Sequence, residues 1–203
     1  GAKEVLLEAL QWIDSQGFDF STLSIKNGRI QAINLMYTGS PGSWAQGMWY
    51  HAGGYYGFSA DGVSSGPYNC SSANSPLSIG TPCHENGHML CGWPDVYKYD
   101  GSQSGVGNFC LMASGSQQNP EPPNPHFTNQ ARWNTVVDVT SFAGTINDID
   151  WDDKVYKYQK NGDNTEFFLL KSARKNNRGG NFPDEGLTIW HIDTDGDNQS
   201  SFH

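Results

Sequence analysis

No apolar run in this 203-residue chain approaches the ~20 residues that a helix needs to cross a bilayer. A helical membrane span is therefore excluded. Positive charge is scarce, with 12 lysines and arginines against 21 aspartates and glutamates and a formal charge of −9. Nucleic-acid binding needs a basic footprint, which this balance does not supply. Cysteine is limited to four residues with no C-x-x-C pair, which argues against a thiolate zinc site. What remains is a polar chain punctuated by glycine, asparagine and serine, with 13% aromatic residues, too many for disorder. Its length suits one sizeable core, with a two-lobed arrangement around a cleft as the alternative. Without an initiator methionine or a signal peptide, it is expected to be a mature-domain fragment trimmed at both ends.

Hydrophobic periodicity gives a coarse α+β order. Val5, Leu6, Ala9, Leu10 and Ile13 share one helical face, so residues 2–15 read as an amphipathic helix stopped by Gly17. Ile33, Leu35 and Tyr37 alternate with Ala32, Asn34 and Met36, a half-buried strand ending at Gly39. Residues 39–80 are glycine-, serine- and aromatic-rich, with the punctuation of short strands and loops. Val136, Val137 and Val139 open a β-rich stretch, in which Phe167–Leu170 and Leu187–Trp190 read as buried strands. One domain over 1–203 is expected, with a helix and sheet region at 1–80, a central segment at 81–133 and a β-rich part at 134–203.

The central segment carries the chemistry. His84-Glu85-Asn86-Gly87-His88 has two imidazoles four positions apart with a glutamate directly after the first, the H-E-x-x-H spacing of zinc peptidases. On a helix, residues i and i+4 lie on one face, so both rings can reach a single tetrahedral Zn²⁺ as neutral nitrogen ligands. Glu85 lies about 100° further round, where it can deprotonate a water at the metal's open position. Five residues recur by chance, but the surroundings describe a real helix. Thr81-Pro82 reads as an N-cap and first helical residue, and Gly92 followed by Trp93-Pro94 reads as its end, giving a helix over 82–91. Gly87 inside it costs roughly 0.8–1.0 kcal/mol against alanine.

Cys83 to Tyr97 resembles the active-site segment of the immune inhibitor A family of secreted metallopeptidases. Gly105 to Ser116 is similar to that family's methionine-containing turn, and Asn124 to Trp133 to the helix that follows. Glu166–Leu170 with Gly186–Asp193 resembles its later strand pair. The resemblance implies a zincin-like α+β domain with a mixed sheet, an active-site helix and a β-rich C-terminal part. It also implies a secreted zinc endopeptidase acting on protein or peptide substrates, with His84 and His88 as ligands and Glu85 as general base. Met112 would floor the histidine rings, and Met48-Trp49-Tyr50-His51 would lie near a substrate-binding edge strand, although a purely structural aromatic corner is the stronger reading for that segment. The commoner family pattern puts an aspartate six residues after the second histidine; here Asp95 stands at seven. Asp95 is the first ligand-capable side chain after the helix break and the expected third ligand, with Asp100, Glu121, His126 and His191 as alternatives. Where relatives often carry an aspartate-rich loop, Lys26-Asn27-Gly28-Arg29 stands instead, and no metal is expected there.

Cys70, Cys83, Cys91 and Cys110 cluster around the motif, and disulfides bracing its loops are expected, in one of three pairings. Reduced, buried cysteines are the alternative. Asp193-Thr194-Asp195-Gly196-Asp197 alternates carboxylates as oxygen-rich Ca²⁺ loops do, against a plain acidic turn. Tyr97, Tyr99 and His126 are all conceivable stabilisers of the transition state. An inactive peptidase-fold module that binds surface proteins or glycans is the rival function, and retention of Glu85 speaks against it. A zinc hydrolase of non-peptide amides would share the same chemistry.

Overall fold

The computed structural model describes residues 1–74, 78–99, 101–116, 118–146, 154–160, 162–175 and 180–196. They form an α+β arrangement of three α-helices, two short 3₁₀ turns and three mixed sheets. The chain divides after the second helix into two compact units, Gly1–Trp93 and Pro94–His203.

The first unit opens with α1 (Ala2–Ser15), the helix anticipated from periodicity. Its buried stripe is Ala2, Leu6 and Leu10, spaced four apart, whereas Val5 is 41% exposed. Gly17, at φ +79°, ends it. Two hairpins follow the same rule. β1 (Ile25–Lys26) and β2 (Arg29–Ile30) are joined by Asn27-Gly28, and β5 (Ser59–Ala60) and β6 (Val63–Ser64) by Asp61-Gly62. All four turn residues have positive φ, the backbone that two-residue hairpins demand and that Asn-Gly and Asp-Gly supply. These strands form one sheet in the order β1-β2-β6-β5. A second sheet, β3-β7-β4, is built from β3 (Ile33–Tyr37), β4 (His51–Gly54) and a central β7 (Pro67–Ser72). β3 runs parallel to β7 and β4 antiparallel to it, with His51 opposite Cys70. Phe20, Ile30, Phe58, Val63, Tyr68 and Cys70 complete the core under α1. Burial of a leucine such as Leu6 or Leu10 contributes about 1.5–3 kcal/mol.

Helix α2 (Gly80–Cys91) packs on β7 and β4. It begins two residues before the expected Pro82, with Ile79 rather than Thr81 at the N-cap position and no side-chain cap. The first helical bond runs from the Cys83 N–H to the Ile79 carbonyl, so Pro82 still falls in the turn where an N–H is not needed. At the other end Gly92 is left-handed at φ +66°, as anticipated. No disulfide joins any of the four cysteines, all of which lie among the described residues. One pairing is excluded by α2 itself, because eight residues of helix separate Cys83 from Cys91 by about 12 Å, beyond the reach of a bridge.

In the second unit, α3 (Pro125–Gln130) starts at Asn124, whose Oδ1 accepts from the Phe127 N–H at 2.9 Å. It is followed by the sheet β11-β10-β9-β8, from β8 (Thr135–Asp138), β9 (Lys154–Gln159), β10 (Glu166–Ala173) and β11 (Gly186–Asp193). Val155, Phe167 and Leu169 form its core against Trp190 and Ile192. The expectation of fully buried strands fails: Phe168, Leu187 and Ile189 are exposed, so β10 buries Phe167 and Leu169 while β11 only half-buries Thr188, Trp190 and Ile192.

Candidate metal centre

Helix α2 presents His84 and Glu85 in buried positions and His88 half-buried, and Asp95 is buried four residues beyond its end. His84, His88 and Asp95 each offer one ligand atom, all within 4.8 Å of one another, a group that could hold a metal ion. The anticipated ligand set is therefore brought together, Asp95 included.

Local chemistry explains the ring orientations. His88 Nδ1 lies 2.6 Å from the Trp93 carbonyl oxygen. A carbonyl only accepts, so Nδ1 carries the proton and neutral His88 turns the lone pair of Nε2 outward. That Nε2 lies 3.1 Å from His84 Nε2, with the rings nearly perpendicular. A tetrahedral cation with metal–nitrogen bonds of about 2.0–2.1 Å holds two nitrogens about 3.3 Å apart, so the observed spacing fits one. The Trp93 carbonyl reaches the ring because Gly92 adopts positive φ, while the Gly92 and Trp93 N–H groups bond back to the His88 and Gly87 carbonyls.

Asp95 is fixed from its own side. Tyr99 donates its hydroxyl proton to Asp95 Oδ2 at 2.9 Å. Tyr99 is 59% exposed as a residue, but partial desolvation of its hydroxyl, and then the bond to Asp95, push that hydroxyl up to about 12, so it remains a donor at neutral pH. The next residue, Val96, donates its N–H to the Met112 carbonyl and accepts from the Val106 N–H. The methionine turn is thereby tied to the ligand segment through backbone. Met112 is fully buried. Cys110 Sγ accepts from the Met112 and Asn124 N–H groups, linking the same turn to the start of α3. Gly105 has φ +57°, and a Cβ there would stand 1.7 Å from the Val96 oxygen, so only glycine fits. Residues 120–125, four of them proline, join in: the Leu111 N–H bonds to the Pro122 carbonyl and the Glu121 N–H to that of Gly115.

Glu85 lies close enough to Cys70 for its charge to act on the thiol, which burial first and that carboxylate second push up to about 11. Of the alternatives to Asp95, Glu121 and His191 are engaged elsewhere. Glu121 is buried with Oε1 accepting from the Asn181 N–H, and burial raises its pKa. His126 sits on α3 with its pKa lowered by burial, and His191 pairs with Glu166 across the β10–β11 ladder. Asp100 lies outside the described residues. In the proposed Ca²⁺ loop, Asp193 Oδ1 accepts from the Asp195 and Gly196 N–H groups in a local turn. Among the described residues these two aspartates join no metal-capable group, and Asp197 lies outside them. His51 is structural, stacked on Trp49 and bonded through Nδ1 to the Trp49 carbonyl and through Nε2 to the Tyr68 hydroxyl.

Two contributors escape sequence reasoning. The Trp93 carbonyl is a backbone atom and leaves no side-chain signature. Tyr99, weighed only as a transition-state donor, meets Asp95 across an irregular loop where no spacing rule applies. Neither the protein-family models nor the curated proteins give a match to this chain.

Proposed function

We propose that this chain is a zinc-dependent endopeptidase of zincin-like fold, secreted, with His84, His88 and Asp95 as ligands and Glu85 as general base. The observation that carries the reading is the convergence of two imidazoles and a carboxylate within 4.8 Å, with a buried glutamate next in sequence to the first ligand. Three protein ligands of this type leave a tetrahedral ion one position for substrate or water. When bound, zinc supplies Lewis acidity, polarising a carbonyl and lowering the pKa of a water towards ~7. Glu85 then accepts the water proton on a carboxylate oxygen and returns it to the departing amine. His88 keeps its Nδ1 proton on the Trp93 carbonyl throughout, which holds the ring in its ligating tautomer. Peptide is favoured as substrate because β4 stands at the end of its sheet and α2 packs on it, which suits β-addition of an extended chain.

Casein and peptide-library hydrolysis by the purified protein tests this. Activity should disappear with a chelator and return with one equivalent of Zn²⁺. Zinc-loaded protein that cleaves no peptide bond, or cleavage indifferent to chelation, would reject it.

A further inference from the structure

The hydroxyl of Tyr99 has two possible uses in a site of this kind. It could donate to charge developing on substrate, or it could hold a ligand. Its proton is directed at Asp95 Oδ2, at 2.9 Å, so it is spent on the protein. An aspartate that ligates through one oxygen while the other accepts a hydrogen bond cannot rotate about its terminal bond, and its ligating lone pair keeps one direction. Asp95 lies in an irregular segment after the helix rather than on α2, so the regular spacing that directs His84 and His88 does not direct its carboxylate. Backbone bonds on either side of Val96 set the position of the main chain, and Tyr99 sets the carboxylate.

We infer that Tyr99 is a positioning residue for the metal centre, orienting Asp95 through its hydroxyl as the third ligand. This rests on the zinc reading above. The structural arrangement parallels that of His88, whose ring is held by the Trp93 carbonyl. A hydrogen bond would thus bear on the direction of each of these two ligands, from a tyrosine hydroxyl in one case and to a backbone oxygen in the other.

The test is zinc affinity of the intact chain, measured by competition with a chromophoric chelator, for wild type, Tyr99→Phe, Asp95→Ala and the double variant. Removal of an outer hydrogen bond of this sort typically weakens metal binding 10–100-fold, and that loss is expected for Tyr99→Phe. In the Asp95→Ala background the same substitution should change affinity by less than about twofold, because its target is gone. Visible spectra of the Co²⁺-substituted proteins give a second readout, and Tyr99→Phe should alter the ligand-field bands without removing them. Wild-type zinc affinity in Tyr99→Phe, or equal losses in both backgrounds, would overturn the inference while leaving the metal site intact. A fall in kcat with affinity unchanged would also overturn it, making Tyr99 a transition-state donor. Failure of the wild type to bind Zn²⁺, or binding indifferent to His84→Ala, would remove the site reading and this inference together.

Discussion

A carboxylate buried beside a histidine ligand is either a fourth ligand or a base, and the two roles differ in what a neutral isostere does. Glu85 is buried on α2 and its charge is felt by the Cys70 thiol. Glu85→Gln keeps the shape and removes the proton acceptor. As a base, its loss should cost about 10²–10⁴-fold in kcat/KM while zinc content after gel filtration stays near one equivalent. His84→Ala should lose the zinc itself. Equal metal loss in the two variants, by atomic absorption, would move Glu85 into the ligand shell. The grouping of His84, His88 and Asp95 was legible in the sequence because a helix turns spacing into direction and its break left Asp95 as the first ligand-capable side chain. The directions of the rings and of the carboxylate were not legible, since a backbone carbonyl and a loop tyrosine set them.

Among elements, the regular ones were read well and the loops were not. α1 keeps the anticipated bounds because apolar residues at i and i+4 define it, although Val5 at the margin of the stripe faces out. α2 begins two residues early because proline is tolerated throughout a first turn, so Pro82 could not mark the start. The strand at 187–190 looked buried because a short apolar run does not distinguish one covered face from two. The loop carrying Met112 has no periodicity at all, yet it supports the ligand segment through Val96. Two glycines in it separate steric support from mere backbone preference. Gly107 has φ +56° and open space where a Cβ would stand, whereas at Gly105 a Cβ would lie 1.7 Å from the Val96 oxygen. Gly107→Ala should cost about 1–2 kcal/mol from the left-handed backbone alone. Gly105→Ala should lower the melting temperature further and weaken zinc binding, because Val96 must move and Asp95 is bonded to it. Calorimetry and zinc titration that found the two variants equal would show that the contact does not support the site.

For the molecule as a whole, pH acts through carboxylates shifted in opposite directions. Exposed Asp138 and half-buried Asp163 are held low by hydrogen bonds from Thr140, and from Thr165 and Glu166. Their contribution is present above the unfolded pKa and is lost as pH falls through the lower native value. Glu121 has the reverse sign. Burial raises its pKa, so the folded state binds its proton more tightly than the unfolded chain does. Its contribution is complete below the unfolded value of about 4.3 and disappears as pH rises through the native one. Glu121→Gln should therefore gain in stability relative to wild type as pH goes from 4 to 7, the two aspartates cancelling in the comparison. Urea midpoints at both pH values measure this, and a difference that does not change with pH would show that Glu121 titrates alike in both states.

The turn after α2 also bears on time. Trp93 holds His88 through its carbonyl, which Gly92 places by its left-handed backbone, whereas Asp95 is held separately through Val96 and the Tyr99 hydroxyl. A movement at Gly92 would therefore loosen one of the three candidate ligands and leave Asp95 braced. Metal release would then be a succession of ligand exchanges rather than one concerted opening. Its rate should keep rising with chelator concentration, because an incoming chelator can take each vacated position in turn.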